Sequence, residues 1–245
     1  MNLKVAFKYK LYDSKNAVLV FYAVILIVIA LMFMFSVLIR DNSDLKGNMQ
    51  GIEVASAIFL FVVGLNSFTE DFRMFMQNGI SRRTMFISQI AGTIAISGIM
   101  ALIDGVLALT GKLIFLSSDV VYLQGLLEMI YGHNIFKIGN FLLSVLFCFF
   151  LYIALMALGF LITALYYRMN KGLKVTVSIG APALFLVVVP IIDTFLLKGA
   201  IGSVLGRIIA AIFGNPAICM LTCFVLFAVF SALSWLLVRK AAVKD

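Results

Sequence analysis

Charged side chains are scarce in this chain. Asp, Glu, Lys and Arg make up 12% of its 245 residues, against about 25% in a water-soluble domain. Hydrophobic residues make up 64%. No water-soluble shape of this size hides that much apolar surface, because even a domain of ~300 residues leaves about a quarter of its chain surface wet. A soluble enzyme, a nucleic-acid-binding domain and a disordered tail are excluded. Histidine occurs once, at His133, so zinc chemistry built on several histidines has no ligands. A catalytic triad on His133 would need an acid and a nucleophile converging from a loop. The three cysteines include no CxxC pair, which leaves neither a disulfide framework nor a metal site. Cys219 and Cys223 share a helical face inside an apolar run and read as packing residues.

What the chain does have is long stretches without charge. A helix needs ~20 apolar residues to cross ~30 Å of hydrocarbon. Such stretches predict six spans, at about 16–39, 52–69, 84–109, 138–167, 175–197 and 217–238. Glu53 at the edge of the second is expected to snorkel to the surface. Gly214-Asn215-Pro216 breaks the last run, with Pro216 suited to a first helical turn. The expected fold is an all-α integral membrane domain filling residues 1–245.

The basic residues set the orientation, because they are retained on the cytoplasmic side. With the N-terminus inside, the inner segments hold thirteen of the 19 lysines and arginines, and both termini are cytoplasmic. The net charge of +8 is therefore topological, with anionic lipid as its partner and no nucleic acid required. The first apolar run is too long for a signal peptide and lacks a small-residue cleavage site, so it reads as an uncleaved span. Before it, Leu3, Val5, Phe7, Leu11 and Tyr12 interleave with four lysines. This pattern suits an amphipathic helix lying on the inner leaflet, with a frayed basic tail as the alternative.

The connection from Glu70 to Arg83 carries the most information. Phe72, Phe75 and Met76 fall on one helical face, with Glu70, Asp71 and Arg73 elsewhere. Asn78-Gly79 is a helix stop, and Ser81 is placed to cap a new helix that starts with Arg82 and Arg83. The spacing predicts a short amphipathic helix, a sharp turn and a second helix. Its apolar face is expected to be exposed for a cytoplasmic partner, with a basic hairpin that only anchors topology as the alternative. Leu123, Leu126, Leu127 and Ile130 predict a surface helix on the outer side. Gly202, Gly206, Ala210 and Gly214 recur every fourth residue, a spacing that lets helices approach closely and that suits a short re-entrant segment before the sixth span. In the third span Gln89, Thr93, Ser97 and Asp104 form a polar stripe with Ala101 and Gly105. It reads as interhelical hydrogen bonding or as a translocation surface.

Other candidate chemistry fails. The run from Gly105 to Lys112 imitates a phosphate-binding loop, but its glycines are one residue too far apart and Leu113 stands where magnesium needs Ser or Thr. Ion coupling would call for ionisable groups at mid-membrane. Glu53, Asp104 and Asp193 all read as lying near outer ends.

Six spans with both ends inside, a basic amphipathic start and an inner hairpin after the second span resemble the permease subunit of type-2 ABC exporters. Within that class the chain resembles the small Gram-positive permeases that export antimicrobial peptides, lantibiotics or phenol-soluble modulins. Glu70-Asp71-Phe72-Arg73 followed by Gln77-Asn78-Gly79-Ile80-Ser81-Arg82-Arg83 is the local match. The resemblance implies that the hairpin is a coupling helix seated in a groove of a separate ATPase, present in two copies and carrying the ATP and magnesium. The chain itself binds no cofactor. The resemblance also implies a connecting helix at the N-terminus, an outer re-entrant segment ending at Asn215-Pro216, and a bacterial cell membrane. Six helices are too few to enclose a route for a bulky substrate, so a second copy or a close paralogue is expected. The cargo implied is amphipathic or hydrophobic, a peptide first of all. A membrane immunity or sensor protein that binds a toxic peptide without moving it stays open as the alternative.

Overall fold

The computed structural model describes residues 3–39, 47–115, 121–132, 135–184, 187, 189–195, 199–239 and 241. Five helices among them are long and apolar enough to cross a membrane: Leu3–Phe35, Ile52–Gln77, Arg82–Ile114, Ile138–Arg168 and Pro216–Arg239.

The first helix, α1, runs unbroken over Leu3–Ile39. A separate interfacial helix followed by a span was expected, and the structure corrects this. No glycine or proline interrupts the segment, so nothing stops the backbone ladder. At 1.5 Å per residue it reaches ~55 Å, well beyond the hydrocarbon layer. Ala6, Lys10, Ser14 and Tyr22 are its buried residues. They lie on one four-residue register, so a single stripe docks the N-terminal half of the helix along its neighbours.

Helix α2 (Ile52–Asn66) bends at Ser67 into α3 (Thr69–Gln77), and after a turn α4 covers Arg82–Phe115. Two short strands, β1 (Gly47–Gln50) and β2 (Val121–Gln124), pair in parallel with Gly47 opposite Val121. Helix α5 (Leu126–Tyr131) follows. Its Leu126 and Leu127 are buried in the bundle, while Ile130 is exposed. The expected surface helix is therefore an inward plug, tied by Lys112 Nζ donating to Glu128 Oε1 at 2.5 Å.

Helix α6 (Ile138–Arg168) is the centre of the bundle, with α2, α4 and the last helix against it. At Gly159 an added Cβ would lie 2.4 Å from the Phe61 carbonyl oxygen, and at Gly64 2.3 Å from that of Met156. Small residues let these two backbones touch. Gly159→Ala is expected to cost about 1–3 kcal/mol through overpacking, whereas Gly139→Ala, with nothing within 4 Å, is expected to be neutral or slightly stabilising. Thermal unfolding in detergent measures both, and equal behaviour of the two would refute the backbone contact.

The expected fifth span falls partly outside the described residues. There the structure shows α7 (Lys171–Ala183), with Pro182 inside it, and α8 (Val189–Phe195). Neither reaches the ~20 residues a crossing needs. Helix α9 (Ala200–Phe213) is likewise short and apolar. It ends at the foreseen break, where Asn215 Oδ1 accepts the Ala217 N–H at 2.9 Å and opens α10 (Pro216–Arg239).

Candidate functional site

Two regions gather the polar residues: the α3–α4 hairpin and a buried cluster further along α4. In the hairpin the foreseen turn is present. Gly79 has φ +69°, the left-handed conformation that glycine adopts without strain. Asn78 Nδ2 donates to the Met74 carbonyl at 2.8 Å, and the Ile80 N–H to that of Phe75 at 2.9 Å. Ser81 Oγ accepts the Thr84 N–H at 3.2 Å, capping α4.

The apolar face of α3 points the other way from expectation. Phe72 and Phe75 are fully buried. Phe72 packs on Phe68 and Tyr167, with ring centroids 5.2 and 5.5 Å apart, and Phe75 meets Tyr9 edge-on at 5.9 Å. Ala6, Met85, Phe160 and Val238 complete this cluster. The face therefore binds the chain's own α1, α4, α6 and α10. The surface left outward is polar: Glu70, Arg73, Gln77, Asn78, Gly79, Ser81 and Arg83 are exposed, with Met76 and Arg82 half-buried. Asp71 is buried and ion-pairs with the equally buried Lys10 of α1. Arg82 Nη1 donates to the Arg239 carbonyl at 2.8 Å, tying the hairpin to the end of α10.

The α4 stripe is interior. Gln89, Thr93, Ser97 and Asp104 are all buried. Asp104 receives Tyr22 Oη on Oδ1 at 2.9 Å and Tyr152 Oη on Oδ2 at 2.5 Å. Tyr152 Oη also lies 3.2 Å from the Glu53 carbonyl oxygen. Glu53 itself is 2% exposed. The reading of Glu53 as a snorkelling surface residue is thus overturned, while the stripe that includes Asp104 makes the interhelical hydrogen bonds that were one of its two readings. Rise per residue gives depth along a helix but not which way a side chain faces, and both turn into the bundle. Sequence reasoning missed Tyr22, Tyr152 and Ser56 as their partners; the one available signal was a phenol amid each apolar run.

Asp193 serves the fold: its carboxylate accepts the Ile201 and Gly202 N–H groups at 2.7 and 2.8 Å, capping α9. The small-residue stripe on α9 is exposed at Gly202, Gly206, Ala210 and Gly214, and of its glycines Gly202 alone meets another described element, the Asp193 carboxylate of α8. His133 lies outside the described residues, as do Arg40, Lys46, Lys198, Lys240 and Lys244 of the charge bias. Among the described residues no group of His, Cys, Asp and Glu is arranged to hold a metal ion.

Between α1 and α4 lies an apolar groove of ≈ 430 Å³, lined by Leu11, Val18, Leu19, Ile96 and Met100, with Lys8 and Lys15 also on its wall. No family model matches the chain, and neither does any curated protein or solved structure.

Proposed function

We propose that this chain is the membrane-spanning permease subunit of an ATP-driven exporter. It moves an amphipathic or hydrophobic substrate, a peptide first of all, out of a bacterial cell, and a separate ATPase subunit supplies the energy. The observation that carries this reading is the hairpin. Its outward face is polar and exposed, while Phe72 and Phe75 anchor it to four helices at once. A push on that face reaches α1 through Lys10–Asp71, α6 through Tyr167 and α10 through Arg82.

The sequence holds no phosphate-binding loop of its own to drive this lever. A ligand shifts a conformational equilibrium only by its differential affinity for two states; ATP closing two ATPase subunits would supply that difference. In this reading the hairpin and both termini are cytoplasmic, α9 is the outer re-entrant segment, and a second permease copy or close paralogue completes the route. The groove between α1 and α4 is a surface on which an amphipathic cargo can lie.

Arg73→Glu with Arg83→Glu tests the reading without touching the buried anchors. Like-charge contacts at an interface cost several kcal/mol, so recovery of a co-expressed ATPase encoded beside this chain should fall at least about tenfold. Size-exclusion behaviour of the permease should not change. Absence of any ATPase from the parent preparation, or undiminished recovery with the double variant, refutes the coupling role.

A further inference from the structure

The buried acids Glu53 and Asp104 have a charge problem that their neighbours do not solve. The groups facing them are neutral: Tyr22 from α1, Ser56 from α2, Cys148 and Tyr152 from α6, and the Leu126 N–H at the start of α5. The buried or half-buried lysines near these helices are committed elsewhere, Lys10 to Asp71 and Lys112 to Glu128. Asp104 has a phenol hydroxyl on each oxygen, an arrangement that stabilises an anion. Glu53 does not have this: its Oε1 is buried without a hydrogen-bond partner. Ser56, 0% exposed, lies beside Asp104 and Tyr22. Three residues apart on α2, Glu53 and Ser56 share a face, and Glu53 Oε1 lies 2.9 Å from where a Cβ on Gly125 would sit.

We propose that Glu53 and Asp104 form a buried site that binds one proton, with Asp104 as the anion held by Tyr22 and Tyr152 and Glu53 as the acid that carries the proton. An unpaired carboxylate in a low-dielectric interior is far costlier than a neutral carboxylic acid. A proton taken from water converts Glu53 Oε1 from an acceptor lacking a donor into a hydroxyl, and leaves the pair with one negative charge. A metal cation fits worse, because hard divalent cations collect about six or more oxygen ligands, whereas both Asp104 oxygens already hold phenol hydroxyls and Glu53 Oε1 is the carboxylate oxygen of the pair left without a partner. The site joins α1, α2, α4 and α6. Any conformation that parts α1 from α4 brings water to it, so proton occupancy is linked to that movement. This goes beyond the ATP-driven reading and does not depend on it.

Infrared spectroscopy of the whole chain, purified without an ATPase and reconstituted in lipid nanodiscs, tests the site. At neutral pH the parent should show the C=O stretch of a protonated carboxyl. Glu53→Gln should lose that band and keep the parent's thermal midpoint, since the amide copies the shape and neutrality of the acid; Asp104→Asn should keep the band. Should Glu53→Gln fail to fold, Ser56→Ala, which retains both acids, must shift the band's frequency. Absence of the band in the parent, its persistence in Glu53→Gln, or an unmoved frequency in Ser56→Ala overturns the proposal. So does a thermal midpoint raised by sodium ions in the parent but not in Glu53→Gln, which would assign the site to a metal cation.

Discussion

Asp71→Ala is expected to destabilise the folded chain by about 3–5 kcal/mol, the cost of leaving one partner of a buried ion pair alone. Both Lys10 and Asp71 are buried, 3% and 5% exposed. The Lys10 stem is wedged against α4: its Cγ lies 2.8 Å from where a Cβ on Gly92 would sit. The stem is thus held in place while the ammonium pairs with Asp71. Replacing the pair with apolar residues of similar volume removes the charge and the vacancy together, so Lys10→Met with Asp71→Leu should recover most of the loss. A double-mutant cycle of denaturant unfolding in detergent reads the coupling directly. Unchanged unfolding of Asp71→Ala would mean that Lys10 escapes to solvent and that α1 is not bolted to the hairpin.

Phe72→Ala is expected to cost a similar amount, about 3–5 kcal/mol, because it removes a fully buried ring and leaves a cavity. Of the ring's neighbours, Phe68 is the N-cap of α3 itself and Tyr167 belongs to α6, so the loss loosens α3 from α6. Phe72→Leu should recover part of it by refilling volume. This prediction separates two roles for one residue. As a docking residue, Phe72 would lose its partner without losing stability; as an anchor, it loses stability first. A thermal midpoint equal to the parent's, combined with loss of ATPase binding, would reinstate the docking role.

The hairpin shows how far local chemistry reaches. Asn78-Gly79 and Ser81 announced a stop and a cap, and both are present because each is satisfied within a few residues of itself. The Gly214-Asn215-Pro216 break is legible for the same reason. The continuity of α1 was also readable, since no helix breaker lies between Leu3 and Ile39. The change from basic and mixed to purely apolar composition masked it by suggesting a boundary. Around Pro182, which lies inside α7, uniform hydrophobicity gave no boundary to read.

Side-chain direction is where composition stops informing. In an apolar chain both lipid and neighbouring helices accept Phe and Leu, so the amphipathic face of α3 had no stated destination until Tyr167 and Val238 were found beneath it. The close passage of α2 over α6 rests on two isolated glycines, Gly64 and Gly159, while the conspicuous stripe from Gly202 to Gly214 brings no described helix backbone against it.

Membrane character, the places where helices stop and the caps that stop them follow from composition and near neighbours, since hydrophobic transfer and capping act over a few residues. The pairing of Lys10 with Asp71, and of Asp104 with Tyr22 and Tyr152, joins positions far apart along the chain. Such contacts depend on how each helix is rotated about its axis. That rotation is settled by the packing of all the helices at once, and no single segment encodes it.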